Sequence, residues 1–578
     1  MDYMKKYMKY AKKYWYSFLL GPLFMVLEAC GEFILPYINA NLIDIGAANR
    51  DVDYVIRQGI FMALIALAML ITGVLGANFS VRASTRLAAG IRKEVFEKIQ
   101  TFSFTDIDEF STGSLITRIT NDITQIQNFA QTLLRGMFRS PVMLIGALIM
   151  SFILNPDLAW AILIIVPILA ISIAFIIKTA SPRYTKMQQA IDALNNDVGE
   201  TITNIKVIKS FVREEYEIRG FCKVNDDLVN KSTSALKVML FMQPVSALAV
   251  NITTLAVVWI SGRQIMIGYM DLGTLTAFIT YLSQILTALT FLANIVLQGT
   301  RAAASDKRIS EVLENVVELS DENATHKDIS IDRGDIEFRN VSFKYFKENH
   351  DYVLSDINCK INAGEFIGIV GSTGSGKSTL VSLIPRLYDA DVGEIIIDGY
   401  NVKDLSFEHL RNSIAMVLQK NTLFAGTIAE NLRWGNENAT DEEIKHAASV
   451  AQADGFVTGF PDGYETELGQ GGVNLSGGQK QRLCIARALL KKTKIIILDD
   501  STSAVDNATD ASIRKAFREE LPGVTKLVIA QRISSIMDAD RIMVLDEGKL
   551  VGFDTHDILI KNCDEYQEIY YSQKDKED

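Results

Sequence analysis

Apolar positions crowd the first half of this chain and thin out in the second. Residues 59–77 form 19 uncharged positions in a row, residues 158–177 form 20, and residues 272–300 form 29. A helix rises about 1.5 Å per residue, so about 20 such residues cross the hydrocarbon of a bilayer, and each run is long enough. Weaker stretches at 17–43, 140–154 and 240–262 bring the expected number of transmembrane helices to six. The connections between them are helical in pattern and poor in Gly and Pro, which predicts that spans two to five run on beyond the bilayer. From 301 to 333 the pattern is that of a helix leaving the membrane, followed by a polar linker. Beyond Gly334, short β-branched runs (367–370, 394–397, 495–498, 527–529, 542–545) alternate with helical stretches, the pattern of an α/β domain with a largely parallel sheet.

The expected fold is therefore an all-α transmembrane domain of six helices followed by an α/β domain. The boundaries are an interfacial helix at 1–13, the membrane domain at 14–310, a linker at 311–333 and the α/β domain at 334–578. The interfacial helix rests on Lys5, Lys6, Lys9, Lys12 and Lys13, which precede a long apolar stretch without a small-residue cleavage site. Lys and Arg number eight in 78–139 and ten in 178–239, whereas the loops at 44–57, 155–157 and 263–271 are short and poor in them. The positive-inside rule places the long connections, both termini and the α/β domain in the cytoplasm; the expected location is the plasma (inner) membrane.

Charge and cysteine usage narrow the functional classes. The 578 residues include 58 basic and 69 acidic ones, a formal net charge of −11, which argues against a nucleic-acid partner. Five scattered cysteines form neither a disulfide framework nor a zinc motif.

The first chemical signal is the run Gly371, Ser372, Thr373, Gly374, Ser375, Gly376, Lys377, Ser378, with Thr379 after it, between an apolar strand and a helix. Its glycines let backbone N–H groups curl around a β-phosphate, the helix N-terminus adds positive potential, Lys377 reaches the β- and γ-phosphates, and the Ser378 hydroxyl can ligate Mg2+. The second is residues 495–499, an apolar strand ending in Asp499, which sets a carboxylate at the sheet edge where Mg2+ sits. The third, Leu475, Ser476, Gly477, Gly478, Gln479, is weak alone.

In this order the three motifs resemble those of ATP-binding cassette (ABC) transporters. The resemblance covers the whole chain, in the form of bacterial multidrug exporters with fused membrane and nucleotide-binding domains. It implies that ATP and Mg2+ bind at the first two motifs, with Ser378, Gln419 and Asp499 on the metal. It also implies that Tyr345 stacks on adenine, unless it is simply a core or edge-strand tyrosine. Ser503 and Asp506 match the loop that crosses the interface of two cassettes. In such a dimer the 475–479 turn acts on the partner's ATP.

Two positions depart from the family pattern. Asp500 stands where a glutamate usually acts as general base, one methylene short of the attacking water, and reach is the first requirement of such a base. Gln531 stands where a histidine is usual and cannot carry a proton. With an intact Ser476-Gly477-Gly478 turn, the chain resembles the degenerate-site subunit of a heterodimeric exporter. The implied partner is a second, different half-transporter with Glu and His at those positions, in a lipid bilayer and with an amphiphilic substrate. The alternative class is a nucleotide-gated conduit or regulator. A soluble ATPase is excluded by the spans, and importers of the family generally keep the two domains on separate chains.

In the first span Glu28 and Glu32 stand four residues apart and face the same way. They are expected to line a polar cavity or pair with a neighbour, where a pair of carboxylates would favour cationic amphiphiles or protons, unless Glu32 lies near the outer headgroups and Glu28 only wets the cavity. Asn251, Gln284 and Asn294 are expected as hydrogen-bonding glue between helices. The segments at 112–113 and 207–211 resemble the family's loops that dock on the cassettes.

Overall fold

The computed structural model describes residues 9, 10, 12–317, 319–322, 324–345, 351–500 and 506–574. The chain divides into two compact units, one of residues 1–100 and 112–315, the other of residues 101–111 and 316–578.

The first unit is helical. Among the described residues four stretches are long and apolar enough to cross a membrane: Trp15–Ala47, Val52–Gln100, Thr112–Leu154 and Leu272–Glu314. The runs expected at 158–177 and 240–262 fall on the helices Pro156–Thr203 and Met242–Met266. The Val52–Gln100 helix has 49 residues and Pro156–Thr203 has 48. At about 1.5 Å per residue each is more than twice as long as the roughly 30 Å hydrocarbon layer is thick. The last helix also overruns, ending at Glu314 after 43 residues, an extension that its sequence assigned only to residues past Arg301.

Buried polar groups lock these helices together. Asp122, 2% exposed, accepts hydrogen bonds from Ser305 Oγ at 2.8 Å and Arg308 Nε at 2.8 Å, and Arg118 pairs with Glu311 at 3.0 Å. Asp44 accepts from the backbone N–H groups of Gly273 (2.5 Å) and Thr274 (3.0 Å), closing the start of the Leu272–Glu314 helix, where the dipole favours an anion. Gln284 donates to the Glu32 carbonyl at 2.8 Å, the inter-helix role expected of it.

The second unit is built on a six-stranded sheet in the order Lys549–Asp554, Arg541–Asp546, Phe366–Gly371, Thr525–Ile529, Ile495–Asp499, Ile414–Val417, parallel except for the first strand. Both faces are buried, as side-chain alternation requires: Ile495, Ile497, Leu527 and Ile529 enter one core, Ile496, Leu498 and Val528 the other. A four-stranded antiparallel sheet (Leu354–Ile361, Ile336–Phe343, Val392–Ile397, Tyr400–Asn401) covers the first of these cores.

The short helix Phe104–Phe110, started by a Ser103/Asp106 capping box, belongs to the cassette unit, and Phe104 lies 6.0 Å from the Tyr388 ring. Residues 101–111 group with the cassette unit, and the segments at 112–113 and 207–211 group with the helical unit, as loops of a membrane domain do. A capped helix of seven residues carries too little periodicity to stand out between two long helices.

Candidate functional site

Register assembles the site. Ile529 pairs with Ile369 on one side and Asp499 on the other, so the turn after Phe366–Gly371 and the end of Ile495–Asp499 open on the same edge. Gly374 (φ 86°) and Gly376 (φ 91°) take the left-handed conformation that a side chain resists, and a Cβ on Gly376 would meet Leu354 at 2.7 Å. The cavity at this edge holds about 680 Å³.

Most of the expected nucleotide residues meet there: Tyr345, the turn residues Gly371, Ser372, Thr373, Gly374 and Gly376, then Lys377, Ser378, Thr379, Gln419, Asp499, Asp500 and Gln531. Ser375 is 2% exposed and supports the turn from beneath. Lys377 Nζ donates to the carbonyls of Gly371 (2.9 Å) and Ser372 (2.6 Å). Burial pulls its pKa down, while Asp499 and Asp500 push it up. Ser378 Oγ donates to Asp499 Oδ1 at 2.9 Å. Burial raises the Asp499 pKa and the neighbouring Asp500 adds to the rise, against the Ser378 hydrogen bond and Lys377. Tyr345 is held by its hydroxyl, 2.8 Å from Thr379 Oγ1, and by edge contacts with Phe343 (5.0 Å) and Tyr388 (5.2 Å), and it still lines the cavity.

The two departures from the family pattern touch each other. Gln531 Nε2 donates to Asp500 Oδ2 at 2.5 Å. Asp500 is 8% exposed, sits at φ 50°, and anchors its backbone through its N–H to the Ile529 carbonyl (3.1 Å) and its carbonyl to Gln481 Nε2 (3.2 Å). Gln573 Nε2 in turn donates to the Gln531 carbonyl at 2.8 Å. Sequence reading missed Gln481, Gln573, Val353 and Ile569. The last three line the cavity, but no short-range spacing links them to the motifs.

The remaining expected residues lie elsewhere. Leu475 is buried in the core, and Ser476 caps the Gly477–Leu490 helix in a reciprocal box: Ser476 N–H donates to Gln479 Oε1 (2.9 Å) and Gln479 N–H to Ser476 Oγ (3.3 Å). None of Leu475, Ser476, Gly477, Gly478 and Gln479 lines the nucleotide cavity of its own chain, among the described residues. Ser503 lies outside the described residues, and Asp506 caps the Asn507–Glu520 helix by accepting from Thr509 N–H at 3.0 Å. In the helical unit Arg139 stands 3.7 Å from Glu28 and 2.5 Å from Glu32, so both carboxylates share one guanidinium.

A phosphate turn at a parallel sheet edge, joined to membrane-spanning helices, defines an ATPase of the membrane. Comparison with known proteins makes this specific: residues 18–289 match the ABC transporter transmembrane region and residues 354–503 match a second family model, that of the ABC transporter. The chain is 38% identical over 574 residues to the ABC transporter ATP-binding protein YfiB of Bacillus subtilis (strain 168), covering 99% of each. It is 34% identical over 553 residues to an ATP-dependent lipid A-core flippase of Desulfotalea psychrophila, covering 95% of each. A structure of a bacterial Atm1-family ABC exporter with ATP bound shares the fold, with a TM-score of 0.82 and 24% identity over 96% of this chain and 99% of that one. The chain belongs to the ABC exporter family, with an N-terminal transmembrane domain fused to one ABC ATPase domain, and it is a transport ATPase of a membrane.

Proposed function

We propose that the chain is one subunit of an exporter that moves amphiphilic small molecules out of the cytoplasm by alternating access, with a hydrolysis-impaired ATP site of its own. The observation that carries this reading is the 2.5 Å hydrogen bond from Gln531 to Asp500. An aspartate already short of a glutamate's reach is further held back by an amide that offers only N–H donors to it and cannot relay a proton. Lys377, Ser372, Thr373, Ser375, Thr379 and Tyr345, with the glycines 371, 374 and 376, hold ATP. The Ser378 hydroxyl and the Asp499 carboxylate are hard oxygen donors 2.9 Å apart, which suits Mg2+, and Gln419 completes its set. When bound, the metal offsets phosphate charge. A cation also relieves the repulsion between Asp499 and Asp500, whose proximity already raises the Asp499 pKa.

The partner is a second half-transporter carrying Glu and His at these two positions. The turn at Leu475, Ser476, Gly477, Gly478 and Gln479 serves that partner's ATP, and Ser503 and Asp506 lie at the interface. Six spans carry the transport path, with the cassette and both termini on the cytoplasmic side of the plasma membrane. The lipid A-core flippase among the relatives supports an amphiphilic cargo. Purified alone, the chain is expected to turn over ATP slowly, and a complex with the right partner rapidly. Brisk substrate-stimulated turnover by the chain alone would overturn the assignment.

A further inference from the structure

The helical unit holds a second cavity, of about 800 Å³, within the range that small-molecule sites occupy. Two polar stripes face it. On the segment running through the Ile123–Gly136 helix, Gln125, Asn128, Thr132, Arg135 and Arg139 follow one another at steps of three, four, three and four residues, which is one face of a helix. On the Leu272–Glu314 helix, Asn294, Gln298 and Arg301 do the same at four and three. Asn294 is thus a cavity residue rather than only inter-helix glue. Thr132 Oγ1 donates to Gln298 Oε1 at 2.8 Å, which occupies the amide oxygen and leaves that side chain with N–H donors to offer.

The charge balance has one sign. Arg139 is spoken for by Glu28 and Glu32. Arg135 and Arg301 open on the same cavity and make no ion pair among the described residues. Three guanidiniums against two carboxylates leave the cavity net positive. Topology alone asks only for basic residues near the cytoplasmic ends of spans; it does not ask that they be arginines on the inward stripe, among amides. Guanidinium presents a planar fork suited to carboxylate, sulfonate or phosphate.

We propose that this cavity binds an anionic amphiphile whose acid group sits between Arg135 and Arg301 while its apolar part lies against Met25 and Phe291. This deepens the export reading above by naming the charge of the cargo, opposite to the cationic amphiphiles that two free glutamates would have favoured.

The test is equilibrium binding, without ATP, of two fluorescent probes to the full chain in phosphatidylcholine nanodiscs: dansyl-undecanoate and dansyl-undecylamine, which share chain and dye and differ in charge. The carboxylate is expected to bind at least about tenfold more tightly than the ammonium. The R135Q/R301Q variant is expected to abolish that preference and R135K/R301K to keep part of it. Equal or tighter binding of the ammonium, no saturable binding of the carboxylate, or an unchanged preference in R135Q/R301Q overturns the proposal. The unmodified chain gives its answer even if a variant fails to fold. Adding phosphatidylglycerol separates the sources of the acid group: competition assigns a lipid headgroup, and its absence a soluble organic anion. ATP-dependent uptake into vesicles tests the export reading separately, since an intact charge preference without uptake would sink export and leave the anion site standing.

Discussion

The cassette cavity and the membrane cavity solve the same problem with different materials. In the cassette, a contiguous turn of backbone, two left-handed glycines and one lysine shape a pocket of about 680 Å³, and side chains from distant strands only finish it. In the helical unit a cavity of about 800 Å³ takes its character from side chains three and four residues apart on separate helices. A site made of backbone fixes the ligand's chemistry and leaves a short motif. A site made of helix faces can change its ligand by exchanging one side chain, and it leaves only a periodicity.

The largest effect that follows is on the turn proposed to serve the partner. Ser476→Arg in a complex with an unmodified partner is expected to lower steady-state ATPase about 100-fold, the scale of losing donors aimed at a developing charge. Ser476 also caps its helix, so thermal unfolding of Ser476→Ala, expected to cost about 1 kcal/mol, separates the capping share from the catalytic one. The next effect is the roughly tenfold charge preference of the membrane cavity, read by the paired probes. Smaller is Tyr345→Phe, which removes the 2.8 Å bond to Thr379 but keeps the ring. ATP affinity measured by titration should weaken about fivefold, for about 1 kcal/mol; a loss as large as that of Tyr345→Ala would mean that the hydroxyl, not the ring, is what matters.

The smallest effect concerns pH. Burial raises the Asp398 pKa, but N–H bonds from Arg333, Gly334, Asp332 and Asp335 outweigh it and hold the carboxyl below its ordinary range. A depressed folded pKa contributes stability that is full above the unfolded value, near 4, and is lost as pH falls through the folded one. Asp398→Asn should therefore lower the cassette's unfolding free energy at neutral pH by about 0.5 to 1 kcal/mol and flatten its decline in acid. An unchanged acid profile would count against this tether.

What was legible in the sequence follows the same division. The run from Gly371 to Ser378 and the strand ending in Asp499 were readable because their groups are neighbours in sequence. The clamp of Asp500 by Gln531, and its support by Gln481 and Gln573, depends on strands and a C-terminal helix meeting across the sheet, so only the two substitutions were visible and not their contact. Arg135 and Arg139 entered the sequence reading only as two of the eight basic residues in 78–139, and Arg301 only as the start of the helix leaving the membrane; an arginine near the end of a span satisfies the topology rule whichever way it faces, and direction appears only once the helices pack. Glu28 and Glu32 were readable as one face, while their shared partner, more than 100 residues away, was not.

The central claim, a weak site of its own and a strong one completed for its partner, is met most directly by Asp500→Asn in that same complex, set beside Ser476→Arg. Asparagine accepts the left-handed backbone at φ 50° and keeps a carbonyl oxygen for Gln531, so the substitution tests chemistry and not folding. Steady-state ATPase is predicted to stay within about threefold of the unmodified complex for Asp500→Asn while Ser476→Arg nearly abolishes it. Loss of turnover in Asp500→Asn with a mild effect of Ser476→Arg would reverse the two sites and contradict the account.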